Sequence, residues 1–167
     1  MELETERLKL RMWREEDFDV YAAFNADVEM AHFIGGACDR NTAWRRMACE
    51  VGHWTLRGYG FWALEEKSSG NVVGSCGLWN PEGWPELEVG YWLTRPGQGK
   101  GYATEAARRS IEYAFGDLGV STLISCIHLD NEASKGVARR LGAELEETIE
   151  LHTFGPHGIW RYPGVPA

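Results

Sequence analysis

The segment that most constrains this chain is a glycine-rich loop between a strand-like run and a helix. Residues 86–94 alternate as a strand does, and residues 95–101 read Arg-Pro-Gly-Gln-Gly-Lys-Gly. A helical pattern begins at once, since apolar residues recur at Ala103, Ala107, Ile111, Ala114 and Leu118. Glycines let backbone N–H groups converge in a tight loop, and the positive end of the helix dipole lies beside them. The segment therefore predicts a binding site for a phosphate-bearing ligand.

Two common phosphate-binding loops do not fit this segment. A Walker A loop needs Ser or Thr directly after Gly-Lys, whereas Gly101 follows Lys100. The dinucleotide fingerprint G-x-G-x-x-G fails from either starting glycine, because Tyr102 or Thr104 stands where its last glycine belongs. A nucleotide-dependent oxidoreductase is therefore disfavoured.

A third pattern does fit. Gln98-x-x-Gly101-x-Ala103 resembles the Q/R-x-x-G-x-G/A motif of the GCN5-related N-acetyltransferase (GNAT) family. Residues 130–134, Asp-Asn-Glu-Ala-Ser, and 139–143, Arg-Arg-Leu-Gly-Ala, resemble the family's N-x-x-S/A … L-G-F segment, with alanine where an aromatic residue is commoner. The opening residues 4–17 are similar to those of RimJ/RimL-like members, which include ribosomal-protein N-terminal acetyltransferases. The resemblance extends from about residue 4 to about residue 162.

The resemblance implies that acetyl-coenzyme A is the cofactor. The loop is then expected to hold the pyrophosphate through the backbone N–H groups of Gln98, Gly99, Lys100, Gly101, Tyr102, Ala103 and Thr104. The backbone of Tyr91, Trp92 and Leu93 is implied to pair with the pantetheine arm and to offer an oxyanion donor. Asn131 and Ser134 would lie beside the same arm, although either residue could serve only to cap its helix.

Charge and composition narrow the classes of partner. The net charge is −8 and no Lys/Arg block is present, which argues against a nucleic-acid partner. Residues 95–140 carry seven basic and five acidic side chains, whereas the rest of the chain carries ten basic and twenty acidic ones. A polyphosphate cofactor would therefore meet favourable charge in residues 95–140, and a cationic amine acceptor would meet it in the acidic remainder. With no signal peptide and no long apolar run, we expect a cytoplasmic protein and no membrane partner. The four cysteines lack C-x-x-C spacing, so we expect buried, reduced thiols and no metal site.

The hydrophobic patterns predict a single domain, 1–167, of the α/β class. The order of elements predicts a mixed, mostly antiparallel central sheet of about six to seven strands flanked by helices, which is the fold that the resemblance implies. Strands are expected at 7–12, 61–66, 72–79, 86–94, 121–128, 144–151 and 158–162. Helices are expected at 15–25, 39–57, 101–117 and 131–141, with a short helical piece at 27–33. The helix at 39–57 is expected to bury Trp44, Met47, Val51 and Trp54.

Transfer of an acetyl group to an amine calls for a base, because a primary amine with a pKa of about 10 is mostly protonated at neutral pH. Glu88 is one candidate, since strand alternation places it opposite the apolar residues of its strand; the alternative is a solvated carboxylate. His128, at a strand end, is a second candidate, and an exposed structural histidine is its alternative. The tyrosine acid that the family often uses is absent, because Ala138 stands at its position. RimJ/RimL-like members have a serine where Ser134 stands, which makes Ser134 the candidate acid.

The leading hypothesis is an acetyl-CoA-dependent N-acetyltransferase that moves an acetyl group to a primary amine by direct attack in a ternary complex. The acceptor could be a protein N-terminus or a small amine, and its site is expected in segments 26–40, 80–85 and 152–160. The alternative is a non-catalytic acyl-CoA-binding module, which the missing tyrosine favours and which Glu88 and Ser134 oppose. A monomer and a homodimer both remain open.

Overall fold

A single mixed sheet organises the chain. The computed structural model describes residues 1–165, so the expected domain 1–167 extends two residues beyond the described part. Eight strands lie in the order β1-β2-β3-β4-β5-β6-β8-β7, and every pairing is antiparallel except that of β5 with β6. The strands are β1 (Leu3–Glu4), β2 (Leu8–Arg11), β3 (Phe61–Glu66), β4 (Val72–Trp79), β5 (Glu88–Leu93), β6 (Ile124–His128), β7 (Glu144–Glu150) and β8 (Pro156–Arg161).

Four α-helices accompany the sheet: α1 (Phe18–Ala26), α2 (Arg40–Arg57), α3 (Tyr102–Gly116) and α4 (Glu132–Arg140). Their ends follow local sequence signals. The Asp39 carboxylate caps α2 by accepting from the N–H of Thr42 at 2.8 Å, and Gly58 ends this helix at a φ of 79°. The Asn131 side chain caps α4 by accepting from the N–H of Ser134 at 3.1 Å.

The helices cover both faces of the sheet. On one face, buried residues of α3 and α4 such as Ala107, Ile111 and Val137 pack against the apolar side chains of the central strands. On the other face, α1 and α2 contribute a smaller cluster that includes Tyr21 and Met47. The sheet therefore has a helix layer on either side.

The structure departs from the sequence predictions at three places. The sheet has eight strands, because the two-residue β1 pairs with β2 and adds an unpredicted edge. Residues 28–35 form turns rather than the short helix expected at 27–33. The predicted buried stripe of α2 is half wrong: Trp44 is 58% and Val51 38% exposed, while Ala43, Met47 and His53 are buried.

Other expectations are met more closely. The strands predicted at 61–66 and 72–79 have those bounds, and their hairpin turns at Gly70, whose φ is 72°. Cys38, Cys49, Cys76 and Cys126 are free thiols, although Cys76 alone among them is buried. Within residues 1–165, every helix is too short or too polar to cross a membrane.

Candidate active site

The sheet opens between β5 and β6. These parallel neighbours share a single register pair, Glu88 with Ile124, and the Ser125 hydroxyl closes the base of the gap by donating to the carbonyl of Val89 at 2.6 Å. β5 stays paired with β4 as far as Leu93, whereas β6 pairs with β8 on its far side. The edge of β5 that faces β6 is therefore left open. An open strand edge offers N–H and C=O groups to an extended ligand chain.

The glycine loop lies between the open end of β5 and α3. Gly97 packs so closely on β4 that a Cβ there would lie 2.6 Å from the carbonyl oxygen of Val73. Gly101 adopts a left-handed φ of 83° and begins α3 without any side-chain cap. The first N–H groups of a helix have no partner within the helix, so this end is a ready anion site. The N–H of Gln98 differs from the rest of the expected set, because it donates to the carbonyl of Arg95 at 3.2 Å.

Side chains at the end of β3 and just before β2 hold this loop. The Glu66 carboxylate accepts from the Tyr102 hydroxyl at 2.5 Å and pairs with the Lys100 ammonium at 3.1 Å. These bonds, that of Tyr102 first, lower the pKa of Glu66 to about 2. Arg7 donates to the carbonyl of Lys100 at 2.9 Å and pairs with Glu105 on the first turn of α3. The Lys100 ammonium is thus already engaged, and the backbone N–H groups are the donors left for an anion.

Glu88 begins β5 at the closed end of the gap. Its side chain is only 8% exposed, and its Oε2 accepts from the N–H of Cys126 at 3.0 Å. Burial raises the pKa of Glu88 to about 7, a rise that the hydrogen bond from Cys126 opposes. The indole of Trp84 lies near enough to oppose the rise as well, yet its buried N–H completes no hydrogen bond within residues 1–165. A carboxyl group with a pKa near neutrality is suited to accept a proton at physiological pH.

Ser134 and Tyr91 form a pair across the gap. The Ser134 hydroxyl donates to the Tyr91 hydroxyl at 3.1 Å, and the Tyr91 hydroxyl donates to the Ser134 carbonyl at 3.1 Å. Burial raises the pKa of Tyr91. Ala138, one turn further along α4, is fully buried. The pair therefore joins β5 to the first turn of α4, the helix whose start Asn131 caps.

His128 lies at the end of β6, half-buried, with its ring 5.2 Å from that of Phe33 and 5.3 Å from that of His157. Its Nδ1 accepts from the N–H of Asp130 at 3.2 Å. With Nδ1 accepting, the neutral ring carries its proton on Nε2, so His128 presents a hydrogen-bond donor to the cavity and is not arranged as a base.

One cavity of about 680 Å³ brings most of the predicted residues together. Its lining includes all three candidate catalytic residues, Glu88, His128 and Ser134, together with Tyr91, Trp92 and Asn131. Leu93 and the 98–104 loop lie outside its lining, and Gly101 and Thr104 line a shallower groove that Arg140 also borders. The three segments expected to form the acceptor site each contribute, through residues 32–36, Trp84, and the set Thr153, Phe154 and His157.

The cavity also contains residues that the sequence analysis did not single out. Glu50 reaches it from α2, and Phe61 and Trp79 line it from β3 and β4. Glu50 accepts from the Tyr21 hydroxyl at 2.7 Å and from the Trp13 indole at 3.0 Å. Burial raises the pKa of Glu50 to about 7, against both hydrogen bonds. The available signal was its spacing: Ala43, Met47 and Glu50 follow the inner face of α2 at helical intervals.

An open strand edge, an uncapped helix start on a glycine loop and a buried carboxyl group with a raised pKa are features that suit a group-transfer enzyme. Comparison with known proteins gives the family. Residues 7–144 match the sequence model of the acetyltransferase (GNAT) domain. The chain therefore belongs to the GNAT acetyltransferase family, and it is an acyltransferase.

Individual relatives are similar over most of their length. The uncharacterized protein YkkB of Bacillus subtilis (strain 168) is 30% identical over 155 residues, which cover 88% of this chain and 87% of that protein. The crystal structure of an acetyltransferase from Agrobacterium tumefaciens str. C58 is 30% identical with a TM-score of 0.89, covering 97% of this chain and 94% of that one. A RimL ribosomal L7/L12 alpha-N-protein acetyltransferase in complex with coenzyme A has the same fold, with a TM-score of 0.74 and 17% identity over 97% and 96% of the two chains.

Proposed function

We propose that this protein is an acetyl-CoA-dependent N-acetyltransferase that acetylates a primary amine by direct attack in a ternary complex. The observation that carries the proposal is the single register pair between β5 and β6, which leaves an open strand edge leading from the glycine loop to Glu88. Acetyl-CoA supplies a thioester whose acetyl carbon the amine attacks, with departure of the coenzyme A thiolate.

Positioning is the first task of the site. The N–H groups of the 99–104 loop bind the pyrophosphate, and the open edge along Tyr91, Trp92 and Leu93 binds the pantetheine arm. Fixing both reactants beside each other can contribute about 7–11 kcal/mol to lowering the barrier. The clamp of Glu66 and Arg7 on the loop supports this role, because a loop fixed before binding loses less entropy on binding.

Proton transfer is the second task. Glu88 accepts the proton that the attacking amine loses, and its raised pKa leaves it able to do so near pH 7. Ser134 supplies a proton to the departing thiolate. The Tyr91 hydroxyl accepts from the Ser134 hydroxyl at 3.1 Å and holds it in place, and solvent returns the proton that Ser134 gives up.

Calorimetric titration with acetyl-CoA tests the cofactor assignment. Gly101 has a φ of 83°, so Gly101→Val strains the loop by about 1–2 kcal/mol and should weaken binding about 5–30-fold. Gly119→Val is the matched control, because Gly119 has a similar φ of 66° beyond the far end of α3 from the loop, with open space around it. We expect wild type and Gly119→Val to bind acetyl-CoA equally well. Equal weakening in both variants, or no binding by wild type, would contradict the assignment.

Turnover separates the enzyme from a non-catalytic acyl-CoA-binding module. Acetylated product is measured over a panel of primary amines and N-terminal peptides, with wild type and Glu88→Gln. We expect Glu88→Gln to bind acetyl-CoA as wild type does and to lose turnover. Tight binding by wild type without acetylation of any amine would favour the binding module.

A further inference from the structure

The cavity holds a second carboxylate besides Glu88, and no cation among residues 1–165 forms an ion pair with it. Glu50 receives hydrogen bonds from the neutral groups of Tyr21 and Trp13, and within residues 1–165 it takes part in no ion pair. Arg46, the cation nearest to it along α2, also lines the cavity, and its guanidinium is held by neutral acceptors rather than by Glu50. Its guanidinium donates to the side chain of Asn25 at 3.0 Å and to the carbonyls of Gly35 and Gly36 at 3.1 Å.

Glu50 and Glu88 lie toward opposite ends of one surface. Glu88, Gly90 and Trp92 share a face of β5, and Glu88 and Trp92 are about 13 Å apart along the strand. The Glu50 carboxylate lies over the Trp92 end, because the rings of its two hydrogen-bond donors, Tyr21 and Trp13, pack on Trp92 at 5.8 and 5.9 Å. The two carboxylates thus border the same cavity from separate places.

The surface between the carboxylates is apolar and aromatic. Gly90 has no side chain, and a Cβ there would lie 3.0 Å from the ring of Phe61. Phe61 in turn lies against Trp79, with ring centroids 5.6 Å apart, and both rings line the cavity. Trp84 adds a third aromatic wall, and its buried indole N–H has no partner within residues 1–165.

These features together indicate what the acceptor carries. Glu50 is half-buried, and a half-buried carboxylate outside any ion pair is stabilised by a ligand cation bound beside it. Aromatic faces attract ammonium groups and also cover methylene groups away from water. A flat or strongly polar acceptor would leave either the second carboxylate or the aromatic walls unmatched.

We propose that the acceptor is a linear diamine, in which an apolar chain separates two amino groups. One amino group gives up a proton to Glu88, and its nitrogen attacks the thioester carbon as the C–S bond breaks. The other amino group stays protonated and binds the Glu50 carboxylate, while the chain between them lies on Phe61 and Trp79. This inference rests on the proposed function and narrows the substrate class of the same site.

The test compares α,ω-diaminoalkanes with n-alkylamines of the same chain length. The measured quantity is the ratio of kcat/KM for diamine and monoamine, for wild type, Glu50→Gln and Glu50→Asp. In wild type we expect a ratio above about tenfold at the best chain length. In Glu50→Gln the ratio should fall toward one, with the loss in KM for the diamine. Glu50→Asp keeps the charge on a shorter side chain, so the best diamine should become longer.

Glu147→Gln is the matched control, because Glu147 is an exposed glutamate of β7 away from the cavity. It should leave the ratio as in wild type. A second readout avoids turnover altogether: calorimetric binding of the best diamine to protein saturated with coenzyme A, which should weaken in Glu50→Gln. A wild-type ratio near one, a ratio unaffected by Glu50→Gln, or preference for an N-terminal peptide would each overturn the diamine assignment. In those cases acetylation of monoamines or peptides would leave the proposed function standing, whereas acetylation of no amine would remove both.

Discussion

Replacing Glu88 by glutamine is the most direct test of the proposed base. The amide keeps the size of the side chain and can still accept from the N–H of Cys126, but it cannot take up a proton. General-base catalysis contributes about 10²–10⁴-fold to rate, so we expect kcat/KM at pH 8 to fall by about that factor. The affinity for acetyl-CoA should stay at its wild-type value, because Glu88 lies at the far end of β5 from the glycine loop.

The pH dependence gives this prediction a second signature. With a pKa of about 7, Glu88 is about one tenth ionised at pH 6 and about nine tenths ionised at pH 8. Wild-type kcat/KM should therefore fall about ninefold from pH 8 to pH 6 through this group alone. Protonation of the amine adds a further slope, and this slope persists in Glu88→Gln while the contribution of Glu88 disappears.

The assay must separate Glu88 from Glu50, whose pKa is also about 7. Initial rates are measured from pH 5.5 to pH 9 at saturating acetyl-CoA, for wild type, Glu88→Gln and Glu50→Gln with a monoamine acceptor. The step near pH 7 should persist in Glu50→Gln. Activity of Glu88→Gln within about threefold of wild type, or an unchanged step near pH 7 in that variant, would refute the assignment of Glu88 as the base.

Three further outcomes follow from the same contacts. The pKa of Glu88 in the folded protein, about 7, lies above the ordinary 4.5, so the contribution of Glu88 to folding stability is complete below pH 4.5 and is lost as pH rises through 7. In urea unfolding, Glu88→Gln should therefore be more stable than wild type at pH 8 by up to about 3 kcal/mol, and nearly equal to it at pH 5. Ser134→Ala should lower kcat about 10–100-fold. Adding Tyr91→Phe should lower kcat little further, because the two hydroxyls act as one unit; additive effects in single-turnover kinetics of the single and double variants would show that they act separately. Lys100→Ala should weaken acetyl-CoA binding less than about threefold in calorimetry, far less than Gly101→Val, since the ammonium is already paired.

Local sequence signals predicted most of the fold. The strands Phe61–Glu66 and Val72–Trp79 were predicted with their observed bounds, and the turn between them marks the end of the first strand and the start of the second. Asp39 and Asn131 were expected at helix starts and do cap α2 and α4. β1 was missed because two residues cannot show a period, and it exists only through its pairing with β2. Such pairing depends on tertiary contacts that a single segment does not encode.

The glycine loop and Glu88 could be found in the sequence because each belongs to a short contiguous pattern. The cavity could not, since it arises where β5 and β6 separate, and its walls come from α2, β3, β4 and two connections. The errors on α2 have the same origin. The apolar pattern of α2 predicts that Trp44 and Val51 are buried, although both are exposed, and it leaves out Glu50 on the inner face.

A charged residue at a core-facing helical position contradicts the local pattern, and it persists in a folded protein only where something compensates its burial. Two neutral donors satisfy the hydrogen bonds of Glu50 and leave its charge without a counter-ion. This incomplete compensation points to a cationic ligand, in the same way that the uncapped first turn of α3 points to an anionic one. In this chain these two departures from fold-forming patterns, Glu50 and the uncapped start of α3, therefore lie at the proposed acceptor half and cofactor half of the site.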